Sequence, residues 1–164
     1  MLNVSIVLYR PDWQQVTDLA TVILLSNHVR RIYLIDNSPA PTSPESLDSR
    51  ITYRHNPYNM GYGAAHNIAI RESIYDNVPF HLVINPDIIL TPDALDTMLQ
   101  FIAQHPEVGS LMPKVTYPDG RLQYLCKLLP TPIDVFGRRF LPSKWMHRRN
   151  SRFEMHASGY DSLM

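Results

Sequence analysis

Three short polar clusters hold the residues best suited to chemistry in this chain. Asp36-Asn37-Ser38 follows one apolar run, Asn85-Pro86-Asp87 follows another, and Asn56 to Asn67 joins a third to a helical stretch. Their carboxylates can hold a divalent cation or accept hydrogen bonds. Gly61 and Gly63 suit a loop whose backbone approaches a ligand closely, and the N-terminus of the helix that follows favours phosphate. Singly, each cluster also reads as a set of turn formers that end a strand. All three fall where apolar runs end, and that shared placement makes the turn-former reading less attractive.

Other chemistries fit poorly. A dinucleotide-binding fold wants its glycines in the first strand-to-helix turn. Here that turn is Tyr9-Arg10-Pro11-Asp12-Trp13, without glycine, and the later Gly61-x-Gly63 has His66 at the third fingerprint position. That turn also lacks the Gly-rich, Lys/Arg-bearing loop of a nucleotidyltransferase. There is no Walker loop and no GxSxG nucleophile elbow. The seven histidines show no metal-ligand spacing with the single cysteine or with each other.

The clusters need elements to position them, and the apolar periodicity supplies these. Val4 to Tyr9 reads as a buried strand. Asp12 is a plausible N-cap for a helix with the apolar stripe Val16, Leu19, Ala20, Ile23 and Leu24. Ile32 to Ile35 is a second strand, Pro39 to Ser49 a loop and Ile51 to His55 a third strand. A helix is expected over about Ala64 to Ser73, then a fourth strand over His81 to Ile84. Thr91 as N-cap and Pro92 at the first helical position open another helix, with Asp93 as an acid in its first turn and Leu95, Met98, Leu99 and Ile102 facing inward. Val108 to Met112 reads as a fifth strand, and Pro118-Asp119-Gly120 as a turn. Alternating strands and helices give an α/β class with a mainly parallel sheet, so the three clusters should meet on one sheet edge. After about Leu128 the pattern degrades into a Pro- and Arg-rich tail.

Bulk composition sets bounds. The chain has 164 residues, 45% hydrophobic and 18% charged, with zero formal net charge. That suits one soluble domain and gives no electrostatic reason to expect nucleic acid as a partner. A lone Cys126 forms no internal disulfide, and a reducing, cytoplasmic setting is the simplest reading. No stretch approaches the roughly 20 apolar residues of a membrane span. Met1 to Arg10 lacks a basic n-region and a cleavage site, so it does not read as a signal peptide. Asn3-Val4-Ser5 matches a glycosylation sequon but falls in an expected strand.

Val4 to Tyr9 (VSIVLY), Ile35 to Ser38 (IDNS), Asn59 to Ile70 (NMGYGAAHNIAI) and Ile84 to Ile88 (INPDI), in this order, resemble family 2 glycosyltransferases. Gly109 to Val115, Asp119 to Gln123 and Leu128 to Phe140 look like the bacterial rhamnosyltransferase branch of that family. The resemblance implies a GT-A fold, a Rossmann-like three-layer sandwich. It implies a nucleotide-sugar-binding core over residues 1–127 and a tail over 128–164 leading toward an acceptor half. It also implies donor-binding roles for Tyr9, Asp36, Asn59, Gly61, Asn67, Asn85 and Asp87. Asp36 matches the acid that contacts the base. Asn59, Gly61 and Asn67 match the loop and helix lining the nucleotide-sugar pocket. Asn85-Pro86-Asp87 matches the DxD site with Asn in place of its first acid, leaving Asp87 to hold Mg²⁺ or Mn²⁺.

The function implied is transfer of a sugar, with inversion, from a dTDP- or UDP-linked donor to a saccharide or lipid-linked acceptor in bacterial surface polysaccharide synthesis. L-Rhamnose is the sugar the branch points to. The family's acceptor half carries the catalytic base and follows the segment seen here as Arg152 to Met164. The base is therefore expected beyond Met164, the sheet incomplete on its C-terminal side, and the 164 residues alone poorly active or self-associating. The alternative is an inactive fragment that binds nucleotide sugar. Arg138, Arg139, Lys144, Arg148, Arg149 and Arg152, interleaved with Phe140, Trp145 and Met146, read either as a solvated surface or as a segment drawn to anionic lipid at the inner membrane face.

Overall fold

The computed structural model describes residues 1–44 and 46–125. The chain divides into two compact units, Met1–Gly109 and Ser110–Met164. The expected boundary at 127/128 and the basic tail lie outside the described residues.

Strand β1 (Leu2–Leu8) is buried along nearly its whole length and occupies the interior of a four-stranded sheet. It is followed by α1 (Trp13–Leu24), β2 (Val29–Asp36), β3 (Ile51–His55), α2 (Tyr62–Tyr75), β4 (Phe80–Ile84) and α3 (Ala94–Gln104). The order across the sheet is β3-β2-β1-β4, and every pairing is parallel. Parallel pairing needs a crossover for each return: α1 joins β1 to β2, α2 joins β3 to β4, and a non-helical segment joins β2 to β3. The α/β class expected from the sequence is therefore the class observed.

Side-chain alternation along β1 separates two cores. Val4, Ile6 and Leu8 pack with Val16, Leu19, Ala20 and Ile23 of α1 and with Leu95 of α3. On the other side Tyr33 and Ile35 of β2 pack with Ala65 and Ala69 of α2, and Val7 lies against them. Helices thus cover both faces, giving three layers. Asp12 caps α1 as expected, accepting the Gln14 N–H at 2.9 Å. Ser26 and Asp96 tie the end of α1 to α3 at 2.6 Å.

Two expectations are corrected. The third helix begins at Ala94 with Asp93, not Thr91, at its cap. The Thr91 carbonyl instead closes a tight turn with the Ala94 N–H at 3.1 Å, so Pro92 and Asp93 lie in that turn and precede the helix. Val108 to Met112 forms no strand. Gly109 within this short run and Pro113 directly after it weaken any ladder it could join. The extended pairing appears further on, where Thr116 bridges Leu122 across the Pro118-Asp119-Gly120 turn.

The α2 face of β1 is not apolar. Asn3 and Ser5 are fully buried there, which also makes the Asn3 sequon inaccessible in the folded chain. They join a network with His66, Ser73 and His81. Ser73 Oγ donates to the Ala69 carbonyl at 3.1 Å, so it accepts from Asn3 Nδ2 at 3.0 Å and from His81 Nδ1 at 2.7 Å. His81 Nε2 is then the acceptor for the Ser5 hydroxyl at 2.8 Å, and Ser5 accepts from His66 Nδ1 at 2.7 Å. In this assignment each hydroxyl proton is used once, and His66 Nε2 is left buried without a partner among the described residues.

Burial lowers His66 from 6.5 to about 4. Burial, then the neighbouring His66, does the same to His81. Both folded values are depressed, so the unfolded chain binds more protons between pH 6.5 and about 4. Stability is full above that window and falls as pH drops through it. For His66 the loss by pH 4 is on the order of 3 kcal/mol. Urea midpoints should fall between about pH 7 and pH 5, and His66→Gln should flatten the slope. A midpoint that does not move with pH would overturn the account.

Candidate functional site at the carboxyl edge of the sheet

The strand order reverses direction between β1 and β4. The crossover from β1 runs over one face and the crossover into β4 runs over the other. Beyond the carboxyl ends of two such strands the connections diverge and leave a crevice, the usual ligand position in open parallel sheets. Tyr9 and Arg10 follow β1, and Asn85 to Asp87 follow β4.

Hydrogen bonds join the strand ends into one rim. The Asn37 side chain accepts from Asn56 Nδ2 at 2.8 Å and donates to the Gly61 carbonyl at 3.4 Å. It thereby connects β2, the loop after β3 and the start of α2. Ser38 Oγ accepts the Arg10 N–H at 2.7 Å, and His55 Nε2 meets the Ser38 carbonyl at 2.8 Å. Arg10 has φ 51, a left-handed conformation unusual for its type. Its guanidinium lies 5.6 Å from the centre of the Tyr9 ring. From α2, Tyr62 donates its phenol to Asn85 Oδ1 at 2.7 Å and closes the link to β4.

Asp36 is fully buried. One carboxylate oxygen accepts the Ser38 N–H at 2.8 Å. The other accepts the Tyr53 hydroxyl at 2.6 Å and, at 3.4 Å, the Thr42 hydroxyl. Burial alone would raise its pKa. Hydrogen bonds from Ser38 and Tyr53, with the nearby His55, outweigh it and hold the carboxyl below the usual carboxylate value. Trp13 packs on Tyr53 with ring centres 6.1 Å apart.

The loop before α2 depends on Gly61. Asn59 Oδ1 accepts the Gly61 N–H at 2.9 Å, and Gly61 takes φ 86, ψ 163, a region essentially restricted to glycine. No side chain caps α2. The first N–H groups of this 14-residue helix have no intrahelical partner and lie in the exposed stretch from Gly61 to Ala64.

The structure thus gathers Tyr9, Asp36, Asn59, Gly61, Asn85 and Asp87 on one edge. Asn67 is exposed one turn into α2 and takes no part in the hydrogen bonds that link the others. Asp87 is exposed and also borders a cavity of about 360 Å³ with Gln15 and Asp18 of α1. Among the described residues no group of three His, Cys, Asp or Glu is placed to hold a metal ion. Asp87 with Asn85 beside it fits an ion that completes its shell from a ligand's phosphates. Residue types alone did not single out Tyr53, Arg10 or Tyr62. For Tyr62 the usable signal was its position directly after Gly61.

Fold and site together define an α/β domain whose polar crevice lies at the reversal point of a parallel sheet. Residues 19–157 match the family model described as glycosyl transferase family 2. The chain belongs to that family. It is 26% identical over 146 residues to N-acetylglucosaminyl-diphospho-decaprenol L-rhamnosyltransferase of two Mycobacterium tuberculosis strains, covering 81% of this chain and 47% of theirs. It therefore spans about half the length of these relatives. An uncharacterised protein of Sinorhizobium fredii is 33% identical over 81 residues, 49% of this chain and 8% of that protein. The crystal structure of S. aureus TarS 1–349 superposes with a TM-score of 0.48 and 14% identity, covering 64% of this chain and 33% of that one.

The glycines separate backbone strain from packing. A Cβ would meet nothing within 4 Å at either Gly61 or Gly63, but only Gly61 has positive φ. Gly61→Ala should cost about 1–3 kcal/mol from strain alone. Gly63→Ala, inside the helix, should be neutral or stabilise by up to about 1 kcal/mol. Equal denaturation midpoints for the two variants would contradict this.

Proposed function

We propose that this chain binds a nucleoside-diphosphate sugar in the crevice between β1 and β4 and serves as the donor-binding part of a sugar transferase. The observation that carries the reading is the hydrogen-bonded rim joining Arg10, Asn37, Asn56, Gly61, Tyr62 and Asn85. It brings an uncapped helix N-terminus and a free carboxylate to the same edge.

The roles follow from position. The N–H groups at the start of α2 face a diphosphate with the positive end of the helix dipole. Tyr9 offers an exposed ring for the base or ribose. Asp36 accepts the base imide where Thr42 now makes its longest contact, at 3.4 Å. Asn59 fixes Gly61, and Asn67 lines the outer turn of α2. Asp87, with Asn85 beside it, holds Mg²⁺ or Mn²⁺, as the family generally uses a divalent metal. Such an ion offsets the charge that develops on the departing diphosphate.

The name of the mycobacterial relatives supports L-rhamnose as the sugar and a lipid-diphosphate-linked saccharide as the acceptor. Acceptor deprotonation requires a base. Asp36 is buried and hydrogen-bonded, and Asp87 is assigned to the ion, so we place the base outside the described residues. No helix among the described residues is long and apolar enough to cross a membrane. Contact with a membrane-borne acceptor would fall to the basic segment Arg138 to Arg152.

Titration with a panel of nucleoside diphosphates and their sugars, with and without Mn²⁺, tests the reading. Pyrimidine diphosphates, dTDP-rhamnose among them, should bind with Mn²⁺ dependence. Asp87→Ala should weaken Mn²⁺-dependent binding by at least about 10-fold to 100-fold, beyond the loss typical of an outer-shell partner. Its melting should not change, because Asp87 is exposed. Unaltered Mn²⁺-dependent affinity in the variant would remove Asp87 from the site.

A further inference from the structure

Asn85 stands where a second carboxylate would double the negative charge beside Asp87, and its surroundings determine which end of its amide a ligand meets. Its Oδ1 accepts the Tyr62 phenol at 2.7 Å. The side chain is otherwise exposed, so both Nδ2 protons, and the second Oδ1 lone pair, are left to solvent. Tyr62 is held in turn. Its ring meets the His66 imidazole edge-on with centres 4.3 Å apart, and His66 is fixed by Ser5 at 2.7 Å. A tyrosine hydroxyl keeps its proton at neutral pH and so is the donor in this bond. Tyr62 is also the first residue of α2, so one side chain connects the uncapped helix N-terminus to the loop after β4.

We propose that Tyr62 is a positioning residue that turns the Asn85 amide so that Nδ2 donates to a phosphate oxygen, making Asn85 an anion contact and not a metal ligand. This rests on the proposed binding of a nucleoside diphosphate in the crevice. With one Oδ1 lone pair taken by Tyr62, the amide is held with both Nδ2 protons available to a phosphate oxygen. Asp87 and the phosphates then supply the ionic contacts. Asn85 adds a neutral donor next to Asp87, where a second carboxylate would repel the diphosphate.

The test is calorimetric titration of the full 164-residue chain with UDP, dTDP, uridine and thymidine, each in EDTA and in Mn²⁺. Tyr62→Phe keeps the ring and its contact with His66 and removes only the hydroxyl. It should weaken diphosphate binding about three- to tenfold, the range for one hydrogen bond, in both EDTA and Mn²⁺. Binding of the phosphate-free nucleosides should be unchanged. Asn85→Asp should weaken diphosphate binding in EDTA. A Tyr62→Phe variant that binds diphosphates like wild type overturns the inference, as does one that loses nucleoside and diphosphate affinity equally. So does an Asn85→Asp variant with tighter Mn²⁺-dependent binding, because that marks residue 85 as an ion ligand. Wild-type protein that binds no nucleoside diphosphate overturns the proposed function itself, and this inference with it. Wild-type binding combined with any of the three variant outcomes overturns the inference alone.

Discussion

Parallel pairing of β1 with both β2 and β4 is the constraint on which the rest depends. A parallel sheet sends every carboxyl end to one edge, and a reversal of strand order opens a gap there between diverging crossovers. The polar side chains of the described site lie along that edge, from the end of β3 to the end of β4. The rim is built mainly from side chains that bond other backbone and amide groups, with Asn37 touching both the Asn56 amide and the Gly61 carbonyl. Short, buried amides suit this task because they bridge loops without bringing a charge that would need a counter-ion. Among the described residues the one buried carboxylate is Asp36, and it keeps its charge because Ser38 and Tyr53 donate to it.

The layer beneath α2 is organised differently from the layer beneath α1. Under α1 the buried contacts are aliphatic, with Trp13, Tyr53 and Phe80 at their margin. Under α2 the central strand presents Asn3 and Ser5, and the helix answers with His66 and Ser73. A buried polar network is stable only when its members satisfy one another, and each misplaced proton is costly. Here the chain of donors is fixed from the Ala69 carbonyl outward to His66. The outer member of that chain packs against Tyr62, whose hydroxyl reaches the loop after β4. Core and crevice are therefore joined by an unbroken chain of contacts on this side of the sheet.

Two of the four positive-φ residues among the described residues lie where the rim turns. Gly61 and Arg10 both have positive φ, one at the start of α2 and the other just past β1. At Gly61 the residue type removes the steric cost. At Arg10 the backbone is held by the buried Ser38 hydroxyl, and the side chain it displays is a cation at the mouth of the crevice. Strained positions at loop edges commonly belong to ligand sites, since surrounding structure must hold them in place.

The sequence by itself determined the class of fold and the edge on which the polar clusters meet. Apolar runs of strand length alternating with helical stripes leave few other arrangements, and four strands and the start of α1 followed from them, while α2 begins at Tyr62, two residues before the expected Ala64. Asp12 was legible as a cap because its chemistry is local. Features that need distant partners were not legible. The start of α3 moved because the turn closed by Thr91 competes with a cap, and Val108 to Met112 had no ladder to join. Asp36 was read as a residue reaching out to a base. The tertiary structure adds the partners that hold it in place: Ser38, Tyr53 and, at the longest distance, Thr42, from the strand end, β3 and the loop between. The histidines looked unrelated along the chain, and only the crossing of α2 over β1 and β4 brings two of them to one serine. Propensity and periodicity act over a few residues, so they fix elements. The direction of a hydrogen bond between elements depends on register and crossover, which exist only once the sheet has formed.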